Sequence, residues 1–249
     1  MNTITALSSL DAVILAGGIG SRLKPVVSDR PKPLAHINGS PFLDLLIQDL
    51  RLQGLCRFVF CVSHQREQIV SHFQSRNDAE FLFSEENSPL GTGGAVRHAL
   101  PLIRSNHFLL LNGDSYCKVN LNDFVTFHKN KKSKSSLVVS ESRGRNDGGN
   151  IDLIADGRIT SFQEKTYASS EKRPLINAGI YLLSRDLPLA WQAKDPFSLE
   201  KDVLPELVSA GHCFGFLVGT EVIDIGTPER YAKAQQQLSN MSKGKSNEK

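Results

Sequence analysis

An apolar run at residues 12–16 breaks into Gly17-Gly18-Ile19-Gly20-Ser21, and basic side chains follow at Arg22, Lys24 and Lys32. Backbone N–H groups of small residues can approach an anion closely, and a guanidinium or ammonium beside them adds charge. Pro31 and Pro33 flank Lys32 and stiffen the chain there, which lowers the cost of holding one lysine against a phosphate. The combination suits a cradle for a triphosphate. Two common versions fail on spacing: Leu23 stands where GxGxxG, counted from Gly18, needs its third glycine, and GxxxxGK[ST] is absent. Asp114 follows four apolar residues and an Asn-Gly pair, so it is expected at the carboxyl end of a strand, where open α/β sheets bind ligands. Asp224 follows Val222 and Ile223 and precedes Gly226. Two such carboxylates, with phosphate oxygens and water, make up a typical magnesium set.

The elements that must hold these groups alternate in the first half of the chain. Residues 12–16, 58–62 and 108–111 are continuous apolar runs, as central parallel strands covered on both faces require, and 80–83 is a shorter one. Between them Phe42, Leu45, Leu46 and Leu50 recur at helical spacing and the pattern stops at Gly54; 65–74 and 91–100 predict two more helices. Such alternation is the βαβ signature. A helix over 121–131 runs into KNKKSKSS, a solvated end. After Ser135 the pattern changes to strands at 137–139, 151–154, 159–162 and 176–183, with Asp156-Gly157 as a hairpin turn, so this half is expected to be partly antiparallel. A helix over 198–210, strands at 214–218 and 222–225, and a helix over 227–238 with Thr227 as N-cap and Pro228 at its first position complete the chain. The expected fold is α/β: a Rossmann-like mixed, mainly parallel central sheet flanked by helices, one domain over residues 1–238, with a polar, disordered tail at 239–249.

Composition excludes several classes. The 249 residues are 40% hydrophobic and 22% charged, ordinary for a globular chain, and a net charge of +3 with no basic stripe argues against nucleic acid. No 18 apolar residues occur together and the first residues lack a basic leader region, so a soluble cytoplasmic protein without a membrane partner is expected. Cys56, Cys61, Cys117 and Cys213 form no CxxC pair and are expected to be four buried, reduced thiols.

Seven blocks, in order, resemble the sugar-1-phosphate nucleotidylyltransferases: LAGGIGSRL at 15–23, RPKPL at 30–34, PLGTGGA at 89–95, LNGD at 111–114, QEK at 163–165, NAGIY at 177–181 and DIGTPERY at 224–231. Within that family the run RLKPVVSDRPKPLAHINGSPFLD and the short chain are most similar to the D-glycero-α-D-manno-heptose 1-phosphate guanylyltransferases. The resemblance implies an enzyme that joins a sugar 1-phosphate to a nucleoside triphosphate by in-line attack at the α-phosphorus, giving an NDP-sugar for cell-surface polysaccharide and pyrophosphate. An attacking phosphate oxygen is already largely ionised at neutral pH, so none of the seven histidines is needed as a base.

Residue by residue, the resemblance implies that Asp114 and Asp224 bind Mg²⁺, that Arg22 meets the β- and γ-phosphates, and that Lys32 neutralises charge at the reacting phosphates. Lys165 grips the sugar phosphate, Glu164 accepts from sugar hydroxyls, and Asn177 and Gly179 line the sugar. Leu15, Ala16, Gly17, Gly18, Gly20 and Gly113 belong to the substrate cradle, with Gly91, Thr92 and Gly93 under the base. Where relatives carry an aromatic-glycine pair before the strand near Ile151, this chain has RNDGGN; Gly149 is left to offer its backbone, and the sugar preference stays open. Base choice falls to backbone groups of PLGTGGA with Glu85 or Glu86 as neighbours, which favours GTP. The alternatives are a mannose-1-phosphate guanylyltransferase, a uridylyl-, thymidylyl- or cytidylyltransferase, and a catalytically silent nucleotide-sugar sensor. Retention of Arg22, Lys32, Asp114, Lys165 and Asp224 together argues against silence. Whether the chain is a monomer or a homo-oligomer is open.

Overall fold

The computed structural model describes residues 6–142, 150–163, 174–191 and 194–239. The first half contains β1 (Asp11–Leu15), a small hairpin of β2 (His36–Ile37) and β3 (Ser40–Pro41), α1 (Phe42–Leu52) and β4 (Arg57–Val62). Then come α2 (Arg66–Phe73), β5 (Glu80–Glu85), α3 (Gly91–Ala99), β6 (His107–Asn112), β7 (Ser115–Cys117) and α4 (Leu121–Asn130). The second half contains β8 (Ser135–Glu141), β9 (Asn150–Leu153), β10 (Ile159–Gln163), β11 (Leu175–Ser184) and α5 (Leu187–Ala190). It closes with α6 (Leu204–Ser209), β12 (Cys213–Val218), β13 (Val222–Asp224) and α7 (Pro228–Gln237).

Among the described residues one nine-stranded sheet joins the two halves, in the order β10-β9-β11-β6-β1-β4-β5, with β8 on β11 and β12 on β8. Strands β6, β1, β4 and β5 are mutually parallel, and β11 runs antiparallel to β6. The apolar runs alternate between two cores: Ile14, Phe60, Leu109 and Leu111 enter one, Val13, Val59, Cys61 and Leu110 the other. Both faces are covered, which is why these strands lack the polar alternation of a half-exposed sheet. Against the first core α1 packs Phe42, Leu43, Leu46, Ile47 and Leu50. Strand β11 divides one edge between β9, at Leu175 and Ile176, and β6, from Ile180 to Ser184. Its register against β8 shifts between Asn177 and Tyr181, so the strand kinks there.

Two expectations change. The helix expected over 198–210 is a π-helical turn, Leu199–Val203, followed by α6. Pro205 has no N–H to bond back into the preceding turn, so an uninterrupted helix loses its ladder there. Cys61, Cys117 and Cys213 are buried, but Cys56 is exposed, at the loop end before β4, and its Sγ donates to Ser8 O at 3.2 Å. The short elements β2, β3, β7 and α5 carry no periodic signal, and the sequence does not predict them. Of the expected disordered tail, residues 240–249 lie outside the described residues. Thr227 caps α7 as expected, accepting from Arg230 N–H. No helix among the described residues is long and apolar enough to cross a membrane.

His128 of α4 gives the fold a pH dependence. It is 3% exposed, with Nδ1 at 2.8 Å from Ser136 Oγ and no partner for Nε2 among the described residues. Burial, reinforced by His107 and Lys129, pulls its pKa down from 6.5 to about 4. The native state therefore favours neutral His128, a contribution complete above about pH 6.5 and lost as pH falls toward 4. In chemical denaturation, the wild type should lose about 3 kcal/mol more than His128→Gln between pH 7 and pH 4; parallel losses would refute the assignment.

Candidate active site

The site lies at the carboxyl ends of the parallel strands. Beyond β6 the chain makes its Asn112-Gly113 turn, and Gly113 N–H donates to Leu15 O at 2.9 Å. A Cβ on Gly113 would stand 2.7 Å from that same oxygen, so only glycine lets this turn close against the end of β1. Asp114 is thereby set beside the 17–20 loop. Next, β7 pairs with β13 so that Ser115 lies opposite Asp224, and Ile225 N–H donates to Asp114 O at 3.1 Å. This two-stranded ladder brings the two carboxylate residues together from distant parts of the chain.

Each carboxylate meets a cation. Lys32, on the turn Lys32–Leu34, places its ammonium on Asp114. Asp224 accepts the Gly226 N–H at 2.8 Å and faces Arg230 Nη1 at 3.4 Å. A Cβ on Gly226 would stand 2.8 Å from Asp224 Oδ1 and 3.6 Å from Arg22 Nη2, so Arg22 approaches the same carboxylate across one small residue. Among the described residues no three or more His, Cys, Asp or Glu side chains gather into a metal cluster. Two hard carboxylate oxygen donors, already compensated by cationic side chains, fit Mg²⁺ in the mode where phosphate and water complete its shell.

A cleft of about 750 Å³ opens beside this pair. Leu15, Ala16, Gly17, Gly18, Gly20, Lys32, Gly91, Thr92 and Asp114 line it. Arg22, Gly93, Gly113, Asn177, Gly179 and Asp224 are not among its lining residues. Gly149, Glu164 and Lys165 lie outside the described residues, Glu164 and Lys165 directly after the end of β10. Gly93 serves the packing of the wall. Its N–H donates to Phe197 O at 3.0 Å, and a Cβ there would stand 2.3 Å from the Phe197 ring. The glycines of PLGTGGA thus admit a neighbouring segment as well as forming a turn. Asn177 donates from Nδ2 to the Tyr181 hydroxyl at 2.6 Å and accepts Gly179 N–H at 2.9 Å, holding the kink of β11.

The adjacent acids Glu85 and Glu86 differ in their surroundings. Glu85 is exposed and pairs with Arg66 at 3.3 Å, whereas Glu86 is 7% exposed and lines the cleft. Glu86 Oε2 accepts Leu90 N–H at 3.1 Å, and burial pushes its pKa up. Glu200, also in the wall, has no sequence signal: beside Asp202 and Glu206 in a helix-like stretch it looks like any solvated acid. Cys61 lines the cleft too, but burial pushes its thiol pKa far up, which leaves it unsuited as a nucleophile.

A family model described as nucleotidyl transferase matches residues 11–241. The chain belongs to the nucleotidyl transferase family. A D-glycero-alpha-D-manno-heptose 1-phosphate guanylyltransferase of Aneurinibacillus thermoaerophilus is 32% identical over 230 residues, 92% of this chain and 98% of the relative. One from Campylobacter jejuni is 34% identical over 227 residues, 89% of this chain and 97% of the relative. The crystal structure of HddC from Yersinia pseudotuberculosis complexed with GMP-PN matches with a TM-score of 0.79 at 34% identity, covering 92% of this chain and 99% of HddC. The Rossmann-like, mainly parallel sheet expected from the sequence is the architecture of this nucleotidyl transferase, and the family resemblance carried by its seven blocks is borne out.

Proposed function

We propose that this nucleotidyl transferase is a guanylyltransferase that joins D-glycero-α-D-manno-heptose 1-phosphate to GTP, giving GDP-heptose and pyrophosphate. The observation that carries the reading is the polarity of the cleft: Asp114, with the Lys32 ammonium on it, lies just beyond β6, and a buried carboxylate, Glu86, lies just beyond β5. Strands β1 and β4 intervene, so the two groups are separated by about 14 Å across the sheet, a span suited to an extended nucleotide. A carboxylate is acceptor-only, and guanine presents two adjacent N–H donors on one edge, which neither uracil nor thymine does. Full-length similarity to two heptose 1-phosphate guanylyltransferases and to HddC, crystallised with GMP-PN, supports the same choice.

In the proposed reaction a phosphate oxygen of the sugar 1-phosphate attacks the α-phosphorus of GTP, the bond to the β-bridging oxygen breaks, and pyrophosphate leaves with its electrons. The nucleophile is already ionised, so catalysis consists of bringing two polyanions together in line and neutralising their charge. The 17–20 loop offers backbone amides to the triphosphate, Arg22 meets its outer phosphates, and Lys32 compensates charge where the bond changes. Asp114 and Asp224 would hold Mg²⁺, which when bound adds charge to stabilise the departing pyrophosphate. Lys165 and Glu164 are proposed to hold the sugar phosphate and sugar hydroxyls, and Gly149, Asn177 and Gly179 to flank the sugar. Both substrates are small soluble metabolites, which supports a cytoplasmic location.

A pyrophosphate-release assay with GTP, ATP, UTP and dTTP against heptose, mannose and glucose 1-phosphates tests the reading. With heptose 1-phosphate, kcat/KM for GTP should exceed that for UTP and dTTP by about a hundredfold or more. Equal use of a pyrimidine triphosphate would overturn the base, and preference for mannose 1-phosphate would overturn the sugar.

A further inference from the structure

The segment between α5 and β12 docks on the first turn of α3. Phe197 N–H donates to Leu90 O at 3.0 Å and Leu199 N–H donates to Thr92 Oγ1 at 2.8 Å. The segment then forms the π-helical turn Leu199–Val203, a geometry that is rare and concentrated at functional positions. Glu200, on that turn, has both carboxylate oxygens engaged. Its Oε2 accepts from Thr92 Oγ1 at 2.7 Å and from Ser198 Oγ at 3.0 Å; its Oε1 accepts from the Tyr181 hydroxyl at 3.5 Å. Tyr181 is fully buried on β11, and burial keeps its phenol protonated well above the ordinary range, so it remains a donor. The same hydroxyl accepts from Asn177 Nδ2 at 2.6 Å, and Asn177 Oδ1 accepts the Gly179 N–H at 2.9 Å.

This is an unbroken path from Thr92, on the nucleotide wall, to the kink of β11. Only a carboxylate at residue 200 can accept from both sides at once; an amide there would turn a donor toward one of the two hydroxyls. The Thr92–Glu200 bond, at 2.7 Å, has the length of a charge-assisted one, and the Tyr181–Glu200 contact, at 3.5 Å, is the long link of the chain.

We propose that Glu200 is a positioning residue that couples the two substrate sites, so that filling the nucleotide site orders the Asn177–Gly179 kink against the sugar. The proposal rests on the functional reading above for assigning Thr92 to the nucleotide and Asn177 and Gly179 to the sugar. Ordering by one ligand lowers the entropic cost of binding the second, with no change of shape required. The Gly179 amide is a natural reporter, because it is held by a side chain rather than by the sheet ladder.

Amide hydrogen exchange on the full chain, with and without nucleotide and no sugar, tests this. GTP should slow exchange of the peptide spanning residues 176–181 by about fivefold in the wild type, and by less than about twofold in Glu200→Gln and in Tyr181→Phe. Tyr181→Phe removes one oxygen and keeps the core filled, so it decides the matter if Glu200→Gln folds poorly. In steady state Tyr181→Phe should raise KM for the sugar phosphate about tenfold while KM for the triphosphate stays within about twofold. Undiminished slowing in both variants, or equal rises in the two KM values, would overturn the coupling. The exchange measurement uses whichever triphosphate the wild type binds, so a preference for UTP would defeat the guanylyl reading and leave this test standing.

Discussion

Replacing Asp114 or Asp224 by Asn should lower kcat by about two orders of magnitude or more, the scale of removing a preorganised charged element from a reacting centre. The two side chains are brought together by the β7–β13 ladder and the Ile225 N–H to Asp114 O bond, none of which involves either carboxylate. An amide of the same shape should therefore leave the fold intact, and the thermal midpoint should shift by only a few degrees. The apparent affinity for Mg²⁺, followed by titration of the nucleotide complex, should fall in both variants, since each loses one of two anionic donors. Chelation of divalent cations should abolish wild-type turnover. Full activity in excess chelator, or an Asp114→Asn enzyme of unchanged rate, would remove both residues from the metal-binding role.

The second large effect is expected at Glu86. Its carboxylate is nearly sequestered from water, Oε2 is occupied by the Leu90 N–H, and among the described residues no donor meets Oε1. Oε1 is left to the cleft, where a ligand that brings donors can replace the water that meets it. Glu86→Gln removes the charge and puts an N–H₂ group where guanine would donate. The GTP kcat/KM should fall about a hundredfold, while the slow reaction with UTP should change by less than about threefold. Glu85→Gln, altering the exposed neighbour that pairs with Arg66, serves as the control and should change neither ratio appreciably. Loss of activity with GTP and UTP in equal proportion would show that Glu86 supports the α3 turn without reading the base.

The central strands are legible in the amino-acid sequence alone, because β1, β4 and β6 must be apolar on both faces and therefore stand out as unbroken runs. So are the glycine-rich exit from β1, the braced Lys32 and the place of Asp114 at a strand end, all properties of a few consecutive residues. What stays open at that level are relations between segments. Glu85 and Glu86 are equivalent in sequence; in an extended strand neighbours face opposite ways, and the way β5 continues past β4 decides that only Glu86 turns inward. PLGTGGA shows its glycines but not the reason for Gly93, which is the Phe197 ring arriving from a segment that follows α5. Glu200 gives no local sign, since its meaning lies in Thr92 and Tyr181, partners distant in the chain. Asp224 and Asp114 become neighbours through a three-residue ladder too short to have a periodicity of its own. The physical division is one of range: local sequence encodes which face of an element is buried, whereas the meeting of polar tips depends on register and close approach, which only the packed chain sets.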